Sequence, residues 1–309
     1  VSRPEFSLID WIRSRVVDRD PVTLGIGDDA AVLRSNSGSD WLVATDMLME
    51  GTDFTFPPAT PQLAGRKALA VNLSDIAAMG GQPTAAFASV ALPITRGMEF
   101  ARELHAGVLD LADQYDIVLA GGDTNSWNGP LVINVAVVGE PVGFKPITRG
   151  GAKPGDAIYV TGSFGGSLAG HHLTFEPRVR EAARLVRLVD IHAMIDVSDG
   201  LAADLHHILD QSHVGAIVDA SAIPIRPAAR SEDAARDPLL RALSDGEDFE
   251  LIFTVSDADS ARLAADWNDA TPITRIGQIT STSGCFLKRV DGKAEPLPPL
   301  GWSHALSLH

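Results

Sequence analysis

Six short acidic clusters punctuate this chain, most of them closing an apolar run. They are GIGDDAAV (Asp28, Asp29), VATD (Asp46), NLSD (Asp75), GGDTN (Asp123), DVSDG (Asp196, Asp199) and DGEDFE (Glu247, Asp248). Packing gives a soluble protein no reason to end strands and helices repeatedly in carboxylates beside Gly, Ser and Thr. A divalent cation does: Mg²⁺ takes oxygen ligands and is commonly held by carboxylates together with substrate phosphates. The pattern points to phosphoryl chemistry on a nucleotide.

Length and composition bound the alternatives. The 309 residues suffice for one large domain or two of ordinary size. A hydrophobic content of 45% with 21% charged residues excludes a largely disordered chain. Acids outnumber bases 40 to 25, a net charge of −15, so nucleic acid, which needs a basic footprint, is not an expected partner. No apolar stretch approaches the ~18 residues of a membrane span. LVINVAVVG is short, interrupted by Asn134 and rich in β-branched residues, and reads as a buried strand. No charged-then-apolar leader opens the sequence. Cys285 stands alone in the strand-like GCFLKRV, which leaves no disulfide framework and no cysteine zinc site. The expectation is a cytoplasmic protein with a structural cysteine.

Strand candidates in the first half are WLVATD, AAFASVAL, DIVLAGG and LVINVAVVG. Two helical patterns lie between them. In QLAGRKALAVNLSDIAAMGG, Leu69, Leu73, Ile76 and Ala77 recur at helical spacing up to Gly80–Gly81; in MEFARELHAGVLDLADQY, Phe100, Leu104, Val108 and Leu111 form one apolar face. The Gly-, Pro- and base-rich segment 143–156 is the expected junction between domains spanning 1–142 and 143–309. Beyond it come the strand AIYVTG, a helix start at GGSLAGHHL, the helix VREAARLVRLV, a helix opened by DVSDGLAADLHHIL, and the strands VGAIVDAS and FELIFTV. PLPPLGW is expected to pack extended.

Each carboxylate also has a bland reading. GDD after Gly-Ile-Gly is, alone, better read as a turn than as a ligand, and Asp46, beside Thr45, is an ordinary turn or cap residue. Asp75 is harder to dismiss. It lies inside an apolar helix, one turn after Asn72, where an unpaired carboxylate costs several kcal/mol. Asp199 or Ser198 can cap the following helix, whereas Asp196 has no such role. The bland readings fail jointly, because all would have to hold at once. The chain has no GxxxxGK[ST] loop and no protein-kinase motif set. VTGSFGGSLAG can hold phosphate at a helix N-terminus or serve tight packing alone, and Arg149 is a loop cation suited to phosphate. The adjacent pairs His171–His172 and His206–His207 cannot both face one metal on a helix, and no GxSxG elbow supports a hydrolase.

Taken in order, GIGDDAAV, TDMLMEGTDF, ALAVNLSDIAAMGG, GGDT, RGGAKPGD, IDVSDGLAADL and DGEDFELIFT resemble the thiamine-monophosphate kinase family of the aminoimidazole ribonucleotide synthetase superfamily. The resemblance runs from about residue 5 to Trp302. It implies a two-domain α/β (α+β) fold: an N-terminal mixed sheet with helices that dimerises through its sheet, and a C-terminal α/β domain closing over ATP. The implied reaction passes the γ-phosphoryl of ATP onto thiamine monophosphate. The resemblance assigns Asp29, Thr45, Asp46, Asp75, Asp123 and Asp196 to a cluster of Mg²⁺ ions and Asp199 to a further one. It sets Gly122, Asp123, Arg149 and Ser198 facing ATP, and Glu247 and Trp302 facing the thiamine moiety. Ala44 stands where the family often has Ser, Asp53 where it has a substrate-binding His, and His105 where it has a Tyr beside ATP. A synthetase or maturation factor of the same superfamily also fits the carboxylates. GEDFEL and the closing LGW favour the kinase, and the cysteine-bearing tail expected of a hydrogenase maturation factor is missing. A nucleotide sensor without catalysis is the reading from another class.

Overall fold

The protein is described by a computed structural model that covers residues 4–231 and 236–303. In its first half, α1 (Pro4–Arg13) is followed by β1 (Val22–Leu24), β2 (Ala31–Arg34), β3 (Asp40–Met49), α2 (Pro61–Ala78), β4 (Gly81–Pro93), α3 (Met98–Gln114), β5 (Val118–Trp127) and β6 (Val132–Pro141). The strands form one mixed sheet in the order β1-β2-β3-β6-β4-β5, in which only β4 and β5 run parallel. Along β3, Leu42, Ala44 and Leu48 are buried, whereas Trp41, Thr45, Met47 and Met49 are exposed on the opposite face.

Helix α2 starts where the sequence says it should. Thr60 accepts a hydrogen bond from Leu63 N, and Pro61 takes the first helical position, where its missing N–H costs nothing. It then runs buried on nearly every side, because elements of both halves enclose it. Its contact with α3 is backbone-close: a Cβ on Gly65 or Gly107 would overlap the carbonyl of Leu104 or Gln62.

The second half contains β7 (Ala157–Thr161), α4 (His171–Thr174), α5 (Val179–Leu188), β8 (Ile191–Asp196), α6 (Leu201–Ser212), β9 (Gly215–Asp219), α7 (Pro227–Ser231), α8 (Pro238–Ser244), β10 (Leu251–Val255), α9 (Asp257–Asp266), β11 (Ile273–Thr280), β12 (Gly284–Lys288) and β13 (Ala294–Pro296). Their sheet has the order β13-β12-β9-β11-β7-β10-β8. One of its faces shares a core with α2 and the first sheet, through Phe175, Leu185 and Phe253 against Leu69, Leu73 and Ile76. The other face is closed over Ile158, Ile195, Leu205 and Ile252. The architecture is the two-domain α/β (α+β) arrangement expected. Among the described residues no helix is long and apolar enough to cross a membrane.

Local expectations fare unevenly. The Gly-Gly pair at 121–122 does not end β5, which continues through Asp123 to Trp127 as an edge strand on β4. β8 and β11 were not among the strand candidates. The expected helix at GGSLAGHHL is a short 3₁₀ turn, Ser167–Ala169, and four residues of α4, interrupted by Gly166 and Gly170 at positive φ. Cys285 is buried and its thiol is pushed up to about 12 by that burial, as suits a structural residue.

Candidate active site

The C-terminal half of α2 delivers Asp75 to a point where β3, the Gly25–Asp29 turn and the end of β8 meet. Candidate ligand oxygens of Asp29, Asp75 and Asp196 all lie within 4.8 Å of one another. Asp46 points to the α2 side of the sheet, where its carboxylate lies beside that of Asp75. Ser74 Oγ donates to Asp196 Oδ2 at 2.5 Å, so adjacent residues of α2 engage two of the carboxylates. Arg149 offsets part of the charge, with its Nη2 2.6 Å from Asp29 Oδ1 and its backbone N–H donating to the Asp28 carboxylate.

Among the described residues, the one cation set against these anions by hydrogen bond is Arg149, which leaves the cluster electrostatically incomplete. Burial, then the charge of Asp29, pushes Asp28 up to about 7 and Asp196 to about 8. Asp75 is held well above the usual carboxylate range by burial, then by Asp46, Asp196 and Asp29. Asp46 is raised too, chiefly by burial. Asp29 Oδ2 is buried with no hydrogen-bond partner. Hard oxygen donors, crowding and an orphaned carboxylate oxygen fit a bound divalent cation, which would supply the missing positive charge.

The remaining expected residues are not all drawn into this cluster. The Thr45 hydroxyl lies on the other face of β3, where it accepts from Asn134 Nδ2 at 3.2 Å. Asp123 is exposed on β5. Two strands, β6 and β4, separate β5 from β3, a gap of roughly 14 Å at ordinary strand spacing. There Asp123 lines a shallow groove with His105, Leu119, Gly122 and Thr124. Gly122 is needed at that point because a Cβ would overlap the Ala88 carbonyl on β4. His105 turns its Nδ1 to Ala101 O at 2.8 Å. Asp199 approaches Asp204 and His207 rather than the main cluster; all three have ligand atoms within 4.8 Å of one another. The i,i+3 spacing of Asp204 and His207 on α6 is the signal that the sequence reading passed over. Neither Ser198 nor Asp199 caps α6 by its side chain. Instead Asp204, inside the first turn, accepts from Asp199 N and Gly200 N.

A cleft of about 340 Å³ opens beside the carboxylates, lined by Asp46, Asp75, Ser198 and Asp199 at one end. Leu48, Val71, Phe249 and Trp302 form apolar walls, with Asp53 and Glu247 among them. Trp302 is held there by its backbone N–H, which donates to Asp199 O at 2.9 Å. The loop carrying Glu247 lies on the end of β8: Glu247 N donates to Ser198 O and Phe249 N to Val197 O. Gly246, at φ 71°, permits that approach, since a side chain would crowd the Ser198 and Asp199 carbonyls. Asp248 is a structural acid. It is buried, paired with Arg226, and accepts from Gly165 N. Gly166 N likewise donates to Asp245. The Gly-rich turn thus spends these two amides on the protein's own carboxylates.

The chain is similar to known proteins over nearly its whole length. Residues 27–140 match the AIR synthase related protein N-terminal domain and residues 153–289 the corresponding C-terminal domain. A thiamine-monophosphate kinase of Rhodopirellula baltica is 41% identical over 97% of each chain. The solved structure of AaThiL complexed with AMPPCP and TMP superposes with a TM-score of 0.84, at 29% identity over 97% of each chain. That of thiamine-monophosphate kinase from Stenotrophomonas maltophilia K279a superposes with a TM-score of 0.73, at 37% identity over 94% of this chain and 98% of that one. The chain belongs to the thiamine-monophosphate kinase family, on the two-domain fold of the AIR synthase related proteins.

Proposed function

We propose that the chain transfers the γ-phosphoryl group of ATP directly to the phosphate of thiamine monophosphate, with magnesium held by Asp29, Asp46, Asp75 and Asp196. Its family makes it a thiamine-phosphate kinase, and one relative was solved with AMPPCP and TMP together. The observation that carries the magnesium reading is the crowding of Asp29, Asp75 and Asp196 within 4.8 Å around an unpartnered Asp29 oxygen. Bound there, magnesium would neutralise the charge of the phosphates brought together.

The chain's own residues do the rest. An oxygen of the acceptor phosphate attacks the γ-phosphorus, and the bond to the β–γ bridging oxygen breaks, leaving ADP with the electron pair. The acceptor is already ionised near pH 7, so no general base is required. His171 and His172 face the backbone carbonyls of Asp248 and Ser167 rather than an acid that would make them relays, and burial lowers both. Apolar walls bearing Asp53 and Glu247 suit a flat, cationic thiazolium. The groove at His105, Gly122 and Asp123, with Arg149 and Ser198, is assigned to the nucleotide, and Asp123, Asp199 and the Thr45 carbonyl to further metal contacts. The residues divide at 142/143, the first part carrying most of the metal ligands. The open sheet face with Trp41, Val43, Met47, Met49 and Phe87 is the surface for a homodimer, since apolar residues in such number on one uncovered face mark an interface.

The test is stoichiometry with ATP, Mg²⁺ and thiamine monophosphate: thiamine diphosphate and ADP should appear in equal amounts. Free phosphate in place of thiamine diphosphate would instead favour a synthetase-like partial reaction. With γ-labelled ATP and no acceptor, the protein should stay unlabelled; label that chases into product would refute direct transfer.

A further inference from the structure

Lys67 is among the largest fully buried side chains of the described residues and the one cation in that group, with 0% exposure, and it has no part in the metal cluster. Burying an ammonium is costly unless it is paired and hydrogen-bonded. Its Nζ donates to Glu247 Oε1 at 2.7 Å and to the Asp53 carbonyl at 2.7 Å. Both acceptors belong to acidic residues that line the cleft together with Val71, Phe249 and Trp302. The pair is lopsided: the cation is sealed beneath the wall, while the Glu247 side chain keeps 24% exposure. An ion pair that only joined two domains would have no reason to turn its acid toward a cavity.

The backbone around Glu247 needs such a hold. Glu247 and Phe249 have φ of 52° and 49°, the left-handed region that non-glycine residues rarely occupy, and such residues persist only where their surroundings over-determine them. Phe249 is fixed by stacking on Phe175, with centroids 4.1 Å apart. Glu247 is fixed by its N–H on Ser198 O and by Lys67. On the Asp53 side, the turn closes with Asp53 N and the Asp53 carboxylate both on Met49, which leaves the Asp53 carbonyl for Lys67.

Lys67 also shares α2 with Ser74 and Asp75. Seven to eight residues of helix set it roughly 11 Å from them along a rigid axis. We propose that Lys67 is the positioning residue for the thiamine end of the substrate: it holds the Glu247 carboxylate and the Asp53 turn at a set distance from the metal carboxylate Asp75 on the same helix. This rests on the reading of Glu247 as a contact to the thiamine moiety.

Three variants of the full chain test it, with KM measured separately for thiamine monophosphate and ATP. Glu247→Gln should raise KM for thiamine monophosphate by about tenfold or more, as expected for loss of a charged contact. No change there would overturn the reading of Glu247 itself. Lys67→Met should raise the same KM by about tenfold to a hundredfold and leave KM for ATP within about twofold. If Lys67 acts through Glu247, the double variant Lys67→Met/Glu247→Gln should match the worse single variant, because coupled residues are not additive. With Glu247→Gln effective, three results would overturn the role of Lys67. They are an unchanged KM in Lys67→Met, an equal rise for both substrates, and multiplied effects in the double variant. If Lys67→Met does not fold because it strands a carboxylate, the double variant removes that charge and is compared with Glu247→Gln alone. Failure of both to fold, with Glu247→Gln intact, would assign Lys67 to the fold.

Discussion

Asp75→Asn should make the metal-free protein more stable and nearly inactive at once. Candidate oxygens of Asp75 lie within 4.8 Å of those of Asp29 and Asp196. At pH 8 this residue must carry either a charge or a proton. As an anion, a single like-charge pair at about 4.8 Å amounts to roughly 3.5 kcal/mol at an effective dielectric of ~20. As a proton holder, a carboxyl with an ordinary value of 3.8 loses ~1.4 kcal/mol per pH unit above it, a ceiling of about 6 kcal/mol at pH 8. Asparagine has the same shape, incurs neither cost and can donate to Asp46. Because the charge is shared among neighbours, roughly 1–3 kcal/mol of that relief should survive, or about 2–10 °C in a chain of this size. Calorimetry in EDTA reads this gain directly. Added Mg²⁺ should raise the melting temperature of the parent and do little for the variant, whose turnover falls about a hundredfold or more. A variant that melts below the parent in EDTA, or keeps the parent's Mg²⁺ response, would refute the argument and return Asp75 to the fold.

The same electrostatics set a pH dependence. Asp28 and Asp196 have folded values of about 7 and about 8, above 3.8 unfolded, so the native state binds more protons and the metal-free protein should gain stability as pH falls from 9 to 6. Mg²⁺ binding near pH 7 should then release protons, measurable by titration calorimetry in buffers of different ionisation enthalpy; release of none would contradict the assignment. Asp123→Asn should leave the melting temperature within about 1 °C, as for an exposed residue away from the core, yet lower turnover; a change in melting alone would remove it from the site. Phe87→Asp, on the open face of the first sheet, should give a monomer by light scattering while the parent runs as a dimer, and a monomeric parent would end the dimer proposal.

Much of this was legible, and the gaps have physical causes. Strands β3, β4, β6, β7 and β10 were readable because apolar runs bounded by turn residues have few other uses. β5 was cut short because Gly-Gly-Asp reads as a turn, whereas here Gly122 lets the strand lie close against the Ala88 carbonyl of β4. β8 was overlooked because IHAMID is short and its last residue opens DVSDGLAADLHHIL, which reads as the start of the following helix. The cap of α6 was sought before the helix, where such residues usually stand, but the carboxylate that serves it, Asp204, reaches back from inside. The gathering of Asp29, Asp75 and Asp196 was inferred as a set, whereas the distance of Asp123 from it depends on strand order, which no local pattern encodes.

Helix α2 shows why one polar residue was found and another missed. With both halves of the protein packed around it, it has almost no solvent face, so every polar side chain on it must be explained by a partner. Asp75 stood out because a short carboxylate among Leu73, Ile76 and Ala77 cannot reach water. Lys67, among Ala64, Ala68, Leu69 and Val71, is the same anomaly, but a lysine passes unnoticed because its long stem normally carries the charge out to solvent. Here the stem leads inward, to Glu247 on the other half of the chain. A helix that reads as apolar around its full circumference should therefore have every interrupting residue questioned, long cations included. On α2 those residues meet the two ends of the proposed substrate: Ser74 and Asp75 at the phosphate, Lys67 beneath the ring.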